Sequence, residues 1–289
     1  MARGKGSSPL RLAVRRLLRN RLAVVGLSIV LVVVIVGTFP EWLAPHDPHE
    51  RGAADAFRVA PGAHPAHWLG TDEAGRDVLS RLIHGAGFSL RVGAIGTSVA
   101  VILGVLIGSL SGFFLGTIDW ILSRVTDTFF AFPSLLLAIG ILATFERQTE
   151  GVVFAALGLV GWPGIARIVR GQVITLRESE YVLAARALGQ SPVFILVRHI
   201  LPNCMGPIVV VSTLMVAGNI LAEAGLSFLG VGLPPPAPTW GRMLVDSKDY
   251  WIEMSWMGVF PGLAIMITLL GFNLFGDGLR DALDPKMRA

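Results

Sequence analysis

Two pairs of histidines in one polar stretch, His46 with His49 and His64 with His67, stand three residues apart, a spacing that could hold a metal ion. Flanking prolines work against a regular helix there and further ligands are lacking, so no bound metal is expected. Asp72, Glu73, Arg76, Asp77 and Arg81 follow in close succession. Such a cluster could do acid–base work, but neither a nucleophile nor a water-activating metal accompanies it. Local ion pairing, with Thr71 or Asp72 capping a helix, is the simpler reading. Glu223 lies near the outer end of a long apolar run. An acid at membrane depth is a functional candidate by default, and a helix-packing or gate contact is the reading adopted for it.

Other chemistry is missing. There is no G-x-x-x-x-G-K-[ST] string, so a P-loop cannot cradle nucleotide phosphates. Neither H-E-x-x-H nor a paired C-x-x-C occurs. No catalytic residue is therefore assigned. The single cysteine, Cys204, rules out an intrachain disulfide.

The elements that must carry these residues are set by composition. The 289 residues are 53% hydrophobic and 15% charged, with mean hydropathy +0.66, which is the profile of an all-α protein that crosses a membrane several times. Six apolar stretches are long enough to span a hydrocarbon core of about 30 Å. They run over Leu22–Phe39, Val92–Leu115, from after Asp127 to Phe145, Gly151–Ile168, Met205–Leu229 and Met254–Phe275. Arg124 and Asp127 are spaced to pair at the start of the third. Gly96, Ala100, Gly104, Gly108, Gly112 and Gly116 recur every fourth residue along the second. Such a ridge favours close helix packing and could also border a translocation path. Pro234, Pro235, Pro236 and Pro238 predict an extended polyproline stretch, and Trp240, Trp251 and Trp256 are placed like an interfacial aromatic belt.

Charge sets the orientation. Arg3, Lys5, Arg11, Arg15, Arg16, Arg19 and Arg21 precede the first span with no acid among them. The positive-inside rule accounts for this arm more simply than nucleic-acid binding does, and no nucleic-acid partner is expected. Six spans then return both termini to the cytoplasm. The predicted division is a basic arm over 1–21, a first span over 22–43, an outer loop over 44–89, a core of five spans over 90–278 and an inner tail over 279–289.

Between the fourth and fifth spans lies a polar, arginine-bearing island on the inner side, Glu180–Asn203, with Arg186 and Arg198 in it and Arg167, Arg170 and Arg177 just before it. An arginine at bilayer depth costs roughly 2.5 kcal/mol or more, so the island lies outside the hydrocarbon. Its pattern reads helix, break, helix. Tyr181, Ala184, Ala185 and Leu188 recur on one face, and Gly189 is a natural stop. Ser191 and Pro192 then form an N-cap and first position, and Pro202 is expected to end the second helix.

The run A-A-R-A-L-G, followed by L-P at Leu201 and Pro202, resembles the EAA loop of ABC importer permeases. Leu183 stands at the position of the motif's glutamate and His199 at that of its later isoleucine. The preceding tyrosine, the H-x-L-P-N ending, the outer string G-T-D-x-x-G-R-D-x-x-S-R and the C-terminal D-P-K are similar to the peptide and nickel branch. The resemblance implies the type I importer permease fold, with a coupling loop over 170–203 that sits in a groove of an ATPase subunit. It implies ATPase-coupling roles for Glu180, Tyr181, Ala184, Ala185, Arg186, Ala187, Leu188, Gly189 and Pro202. Gly96, Gly104, Gly108, Gly112 and Glu223 are carried as packing or translocation-path residues. The chain itself is expected to bind no cofactor, ATP and Mg belonging to partner subunits. Implied partners are a second permease, two ATP-binding subunits, an extracytoplasmic substrate-binding protein and the lipid bilayer of the cell membrane. Di- or oligopeptide cargo is the favoured expectation, with nickel or another small solute as the alternative. An ion-coupled secondary transporter is the reading from a different class, although most spans lack the buried acids and histidines of an ion relay.

Overall fold

The computed structural model describes residues 9–52 and 57–283. Arg3, Lys5, Lys286 and Arg288 lie outside the described residues, so the outermost parts of the basic arm and of the inner tail do too. Among the described residues all regular structure is helical. Among these residues five helices are long and apolar enough to cross a membrane, and a bent pair passes the same test together, which makes six where the pair is counted as one span.

Helix α1 (Pro9–Arg19) places Arg11, Arg15 and Arg19 in one i, i+4, i+8 row. Asn20 then accepts hydrogen bonds from the backbone N–H groups of Leu22 and Ala23, at 3.1 and 3.3 Å, and starts α2 (Arg21–Thr38), the first span. A single turn, α3 (Pro40–Leu43), leads to the outer loop. The second span, α4 (Val78–Phe114), begins well before Val92. Its cap is Asp77, not Thr71 or Asp72: one Asp77 oxygen accepts from both the N–H and the hydroxyl of Ser80, at 2.8 and 2.7 Å. Asp72 instead closes a tight turn by accepting from the N–H groups of Ala74 and Arg76. At 37 residues α4 is about 55 Å long, so it projects beyond the hydrocarbon.

The third span is not continuous. Helices α5 (Gly116–Ala131) and α6 (Ser134–Ala143) meet at 90° around Phe132 and Pro133. Pro133 has no N–H to donate and forces Phe132 into an extended conformation, which ends α5 there. The fourth span, α7 (Glu150–Arg177), carries Arg167, Arg170 and Arg177 in its own last turns. Then come α8 (Glu180–Ala187) and α9 (Pro192–Ile195). The latter runs through a π-turn, Leu196–Ile200, into α10 (Leu201–Phe228), so Pro202 does not end a helix. The N–H of Leu201 reaches back five residues to the Leu196 carbonyl, and the widened turn passes a proline that can donate nothing.

Beyond α10 the polyproline expectation fails, because the Ala237 N–H bonds the Pro234 carbonyl and closes a turn. Helix α11 (Trp240–Asp246) and the sixth span α12 (Trp256–Leu283) complete the fold. Trp240 and Trp256 are not belt residues. Their indole N–H groups point inward to the carbonyls of Leu82 and Thr71, at 2.9 and 3.1 Å.

The centre of the assembly is the contact between α4 and α7. A Cβ added to Gly104 would lie 2.5 Å from the Ile165 Cβ, and one on Gly112 would lie 2.7 Å from the Arg170 carbonyl oxygen. At Gly108 it would overlap the Ala166 carbonyl oxygen, and at Gly96 it would press on Asn219 and Leu157. Ala100, fully buried, packs with Trp162 and Ala166. Gly116 does not continue the ridge: it opens α5 with φ +59° and has open space around it.

Gly108→Ala therefore destabilises the detergent-solubilised chain by about 1–3 kcal/mol, since a methyl group there forces two backbones apart. Gly164→Ala, at a helical position with nothing within 4 Å, is neutral or stabilising by up to about 1 kcal/mol. Thermal unfolding of the two variants side by side checks the contrast.

Candidate functional site

The island between α7 and α10 folds into a compact knuckle. Helix α8 ends in a Schellman motif, with the Gly189 N–H on the Arg186 carbonyl and the Gln190 N–H on the Ala185 carbonyl, at 2.9 and 3.2 Å. That closure needs a left-handed residue, and Gly189 supplies it at φ +75°. Ser191 then caps α9 by accepting from the Phe194 N–H. Gln190 and His199 pair across the break at 2.9 Å, and Asn203 donates to the His199 carbonyl at 2.6 Å with its amide near the Tyr181 hydroxyl.

One face of α8 is anchored and the other is open. Val182 and Ala185 are buried with Val173, Ile195 and Ile200 in a shared core. Tyr181, Ala184, Ala187 and Leu188 face outward, with Glu180 and Arg186 at the margins. The paired alanines thus divide: Ala184 lies on the open surface, and Ala185 is packed inside. Leu188 is 80% exposed, and Leu183, Val193 and Phe194 extend the same open apolar surface. Pro202 is exposed on the first turn of α10.

Arginines tie this knuckle to the spans. Arg186 lies over the Phe113 ring, 5.8 Å from its centroid, and Arg177 donates to the Phe113 carbonyl at 2.9 Å. Two turns deeper, Arg170 makes a two-pronged contact with Asp119 of α5, both bonds at 2.6 Å, and Ser111 and Ser123 donate to the same carboxylate. Arg124 and Asp127 do not pair as their spacing suggests. Asp127 meets Arg167 of α7 at 3.1 Å, while Arg124 packs over Trp120. A cleft of about 220 Å³ opens between these ion pairs, lined by Ser123, Asp127, Arg167 and Arg170.

Deeper in the bundle, Ser134, Ala138, Leu157, Gly161, Asn219 and Leu226 line a cavity of about 290 Å³ between α6, α7 and α10. The glycine ridge does not line it: Gly96, Gly104, Gly108 and Gly112 all lie on the packed side of α4. Glu223, 1% exposed, accepts from the Ser227 hydroxyl at 2.7 Å through one carboxyl oxygen, and the other has no hydrogen-bond partner. On the outer side Arg81 sits almost fully buried between Asp72 and Asp246, at 3.6 and 3.5 Å, and Arg76 is held by Asp72 and Glu73. Burial, reinforced by the neighbouring Asp72 charge, pushes the Glu73 carboxyl up from its ordinary value.

The long-range pairs were out of reach of sequence reasoning. Arg170 and Asp119 are 51 residues apart and neither position advertises the other. The signal available was the presence of lone acids and arginines at the ends of adjacent apolar runs.

Residues 104–289 match the family described as the binding-protein-dependent transport system inner membrane component, and residues 8–61 match the N-terminal TM domain of oligopeptide transport permease C. The chain is 41% identical to the dipeptide transport system permease protein DppC of Alkalihalophilus pseudofirmus, over 98% of this chain and 91% of that one. It is 40% identical to the di/tripeptide transport system permease protein DppC of Pseudomonas aeruginosa, over 97% and 93%. It is 39% identical to the glutathione transport system permease protein GsiD of Pectobacterium atrosepticum, over 95% and 90%. Among solved structures, an inward-facing MetNI methionine ABC transporter chain superposes with a TM-score of 0.58 at 16% identity, covering 70% of this chain and 96% of that one.

Asp119→Asn removes the charged partner of Arg170 and lowers unfolding stability by about 1.5–3 kcal/mol. Asp127→Asn, in the solvent-exposed pair with Arg167, costs less than about 1 kcal/mol. Denaturant titrations of the two purified variants separate these outcomes.

Proposed function

The chain belongs to the binding-protein-dependent transport permeases, and on that premise we propose that it is one of two membrane subunits of an ATP-driven importer of small peptides. The cargo class follows the relatives, whose names specify dipeptides, di/tripeptides and glutathione. In this reading a second permease completes the conduit, two ATP-binding subunits hold ATP and Mg, and an extracytoplasmic binding protein delivers the cargo. Both termini face the cytoplasm, in keeping with the arginine row of α1.

The observation that carries the proposal is the open apolar surface of α8 and α9, stiffened from behind by buried Val182 and Ala185. A water-exposed Leu188 at the capped C-terminal end of a short helix is poorly accounted for by folding and well accounted for by a protein groove that covers it. Glu180, Tyr181, Ala184, Arg186, Ala187 and Gly189 frame that contact, while Ala185 acts from within by fixing the height of α8. Closure of the ATPase dimer would push α8 and, through Arg177, Arg186 and Arg170, carry α4, α5 and α7 with it. The cavity near Asn219, and Glu223 beyond it, would then change their access from one side to the other.

Leu188→Asp is the direct test, because the side chain contributes little to this chain's own core. In the assembled transporter, ATP-dependent peptide uptake into vesicles falls at least about tenfold while membrane insertion and the unfolding profile of the isolated chain are unchanged. Undiminished ATP-driven uptake by that variant, or uptake by the chain alone under an ion gradient, overturns the reading.

A further inference from the structure

The six histidines are unevenly distributed: five of them, His46, His49, His64, His67 and His84, lie in or beside the outer loop. The fold does not use the two pairs in the way their spacing suggests. It takes one residue from each pair and adds a carboxylate from a third place in the chain. His46, His67 and Asp77 converge so that one potential ligand atom from each lies within 4.8 Å of the others.

The separations are those of a metal-ligand set before it closes. The His67 Nδ1 is 3.0 Å from one Asp77 oxygen, and the His46 Nδ1 is 3.8 Å from the other. Donors around a tetrahedral zinc ion, at bond lengths near 2.0–2.1 Å, stand roughly 3.4 Å apart. The two imidazole rings are 4.9 Å apart between centroids.

A brace between His67 and the helix cap would account for two of the three residues. It does not account for His46. The Nδ1 of His46 is buried and has no hydrogen-bond partner, although it is directed at a carboxylate. A buried ring nitrogen without a hydrogen-bond partner is one that a bound cation can satisfy. The backbone also holds His46 in place, because its N–H donates to the Ser80 hydroxyl, and that hydroxyl donates in turn to Asp77. Asp77 receives the Ser80 N–H as well, which fixes the carboxylate as an outer-shell partner fixes a ligand. Access is through the His46 ring, whose side chain is 31% exposed while those of His67 and Asp77 are 11% and 1% exposed.

We propose that His46, His67 and Asp77 form a binding site for a zinc-like divalent cation, which staples the outer loop to the N-terminus of α4. The ion takes the Nδ1 lone pairs of both histidines and one Asp77 oxygen, with water completing four-coordination. On entry the His67 proton moves from Nδ1 to Nε2, and the His67–Asp77 hydrogen bond is replaced by two bonds to the metal. Zinc and cobalt(II) suit two imidazoles and one carboxylate better than magnesium or calcium, which prefer all-oxygen shells.

The test uses the purified full-length chain in detergent, stripped with a chelator and titrated with CoCl2 or ZnCl2 alone. Cobalt(II) produces the visible absorption of a four-coordinate site at one equivalent per chain, and zinc displaces it. His46→Ala keeps the backbone bond to Ser80 and leaves the Asp77 cap intact, and it weakens binding beyond the about 10–100-fold that loss of an outer-shell partner costs. His67→Ala does the same, whereas His49→Ala and His84→Ala retain wild-type affinity. Absence of stoichiometric cobalt binding by the wild-type chain overturns the site, and so does unchanged affinity in His46→Ala. Neither readout depends on transport, so the proposal stands or falls separately from the peptide-importer reading.

Discussion

In hydrocarbon, water does not drive helices together, and the close approach of α4 and α7 has to come from shape. The glycines at 104, 108 and 112 bring one backbone against the side chains and carbonyls of the other, so that dispersion contacts run along nearly the whole inner half of the pair. Other features rest on that distance. The Arg170 guanidinium reaches across from α7 to Asp119 only because α7 lies against the end of α4, where Ser111 joins the same carboxylate. Arg177 finds the Phe113 carbonyl for the same reason. A wider spacing between the two helices would leave these arginines beside the bilayer without their partners, at a cost that grows with depth.

This arrangement makes the α8 knuckle a stiff attachment rather than a loose loop. On one side α8 follows α7 after a two-residue turn, and on the other α9, joined to it by the Gly189 turn, continues through the π-turn into α10 without a break in helical character. Its centre is pinned by Val182 and Ala185 in a core that includes Val173, Ile195, Ile200 and Cys204. Cys204 is thus a buried packing residue. A displacement applied to the open face of α8 has few soft joints in which to dissipate. The broken third span is the exception: the 90° bend at Phe132 and Pro133 lets α5 follow Asp119 while α6 stays against α7 and the cavity.

Much of this was legible before any coordinates. The apolar runs mark the five continuous spans and the bent α5–α6 pair, because a stretch of uncharged residues of that length has few other uses. The knuckle's internal order was legible too, since Ser191, Pro192 and Gly189 act through short-range backbone chemistry that depends little on context. What could not be read has a common cause. Pro202 looks like a stop because the sequence does not reveal a π-turn in front of it, and Pro133 looks harmless because an apolar run conceals a bend. Ala185 and Ala184 are indistinguishable by type, yet one is interior and the other open. The Arg170 partner of Asp119, the Arg167 partner of Asp127 and the Asp246 partner of Arg81 belong to distant segments, and only the assembled bundle brings them within reach.

The outer end of α4 mirrors its inner end with different means. Outside, α4 is held by a buried arginine, Arg81, set between Asp72 of the loop and Asp246 of α11, with Trp240 bonding the Leu82 carbonyl beside it. Inside, it is held by the Ser111, Asp119 and Arg170 network. Between them, inward of the exposed Arg91–Glu150 pair that links α4 to the start of α7, the glycine ridge offers contact without ion pairs, which is what the hydrocarbon permits. Polar knots at the two aqueous ends and an apolar, closely packed middle make α4 a strut fixed at both ends. Movement of α7 relative to it must therefore break or slide the inner knot, through Arg170, or the Arg91–Glu150 pair, and the inner knot is the one adjacent to the α8 surface. The outer knot also connects directly to Asp77, so the set of His46, His67 and Asp77 stands at the joint where the loop's position is communicated to the strut.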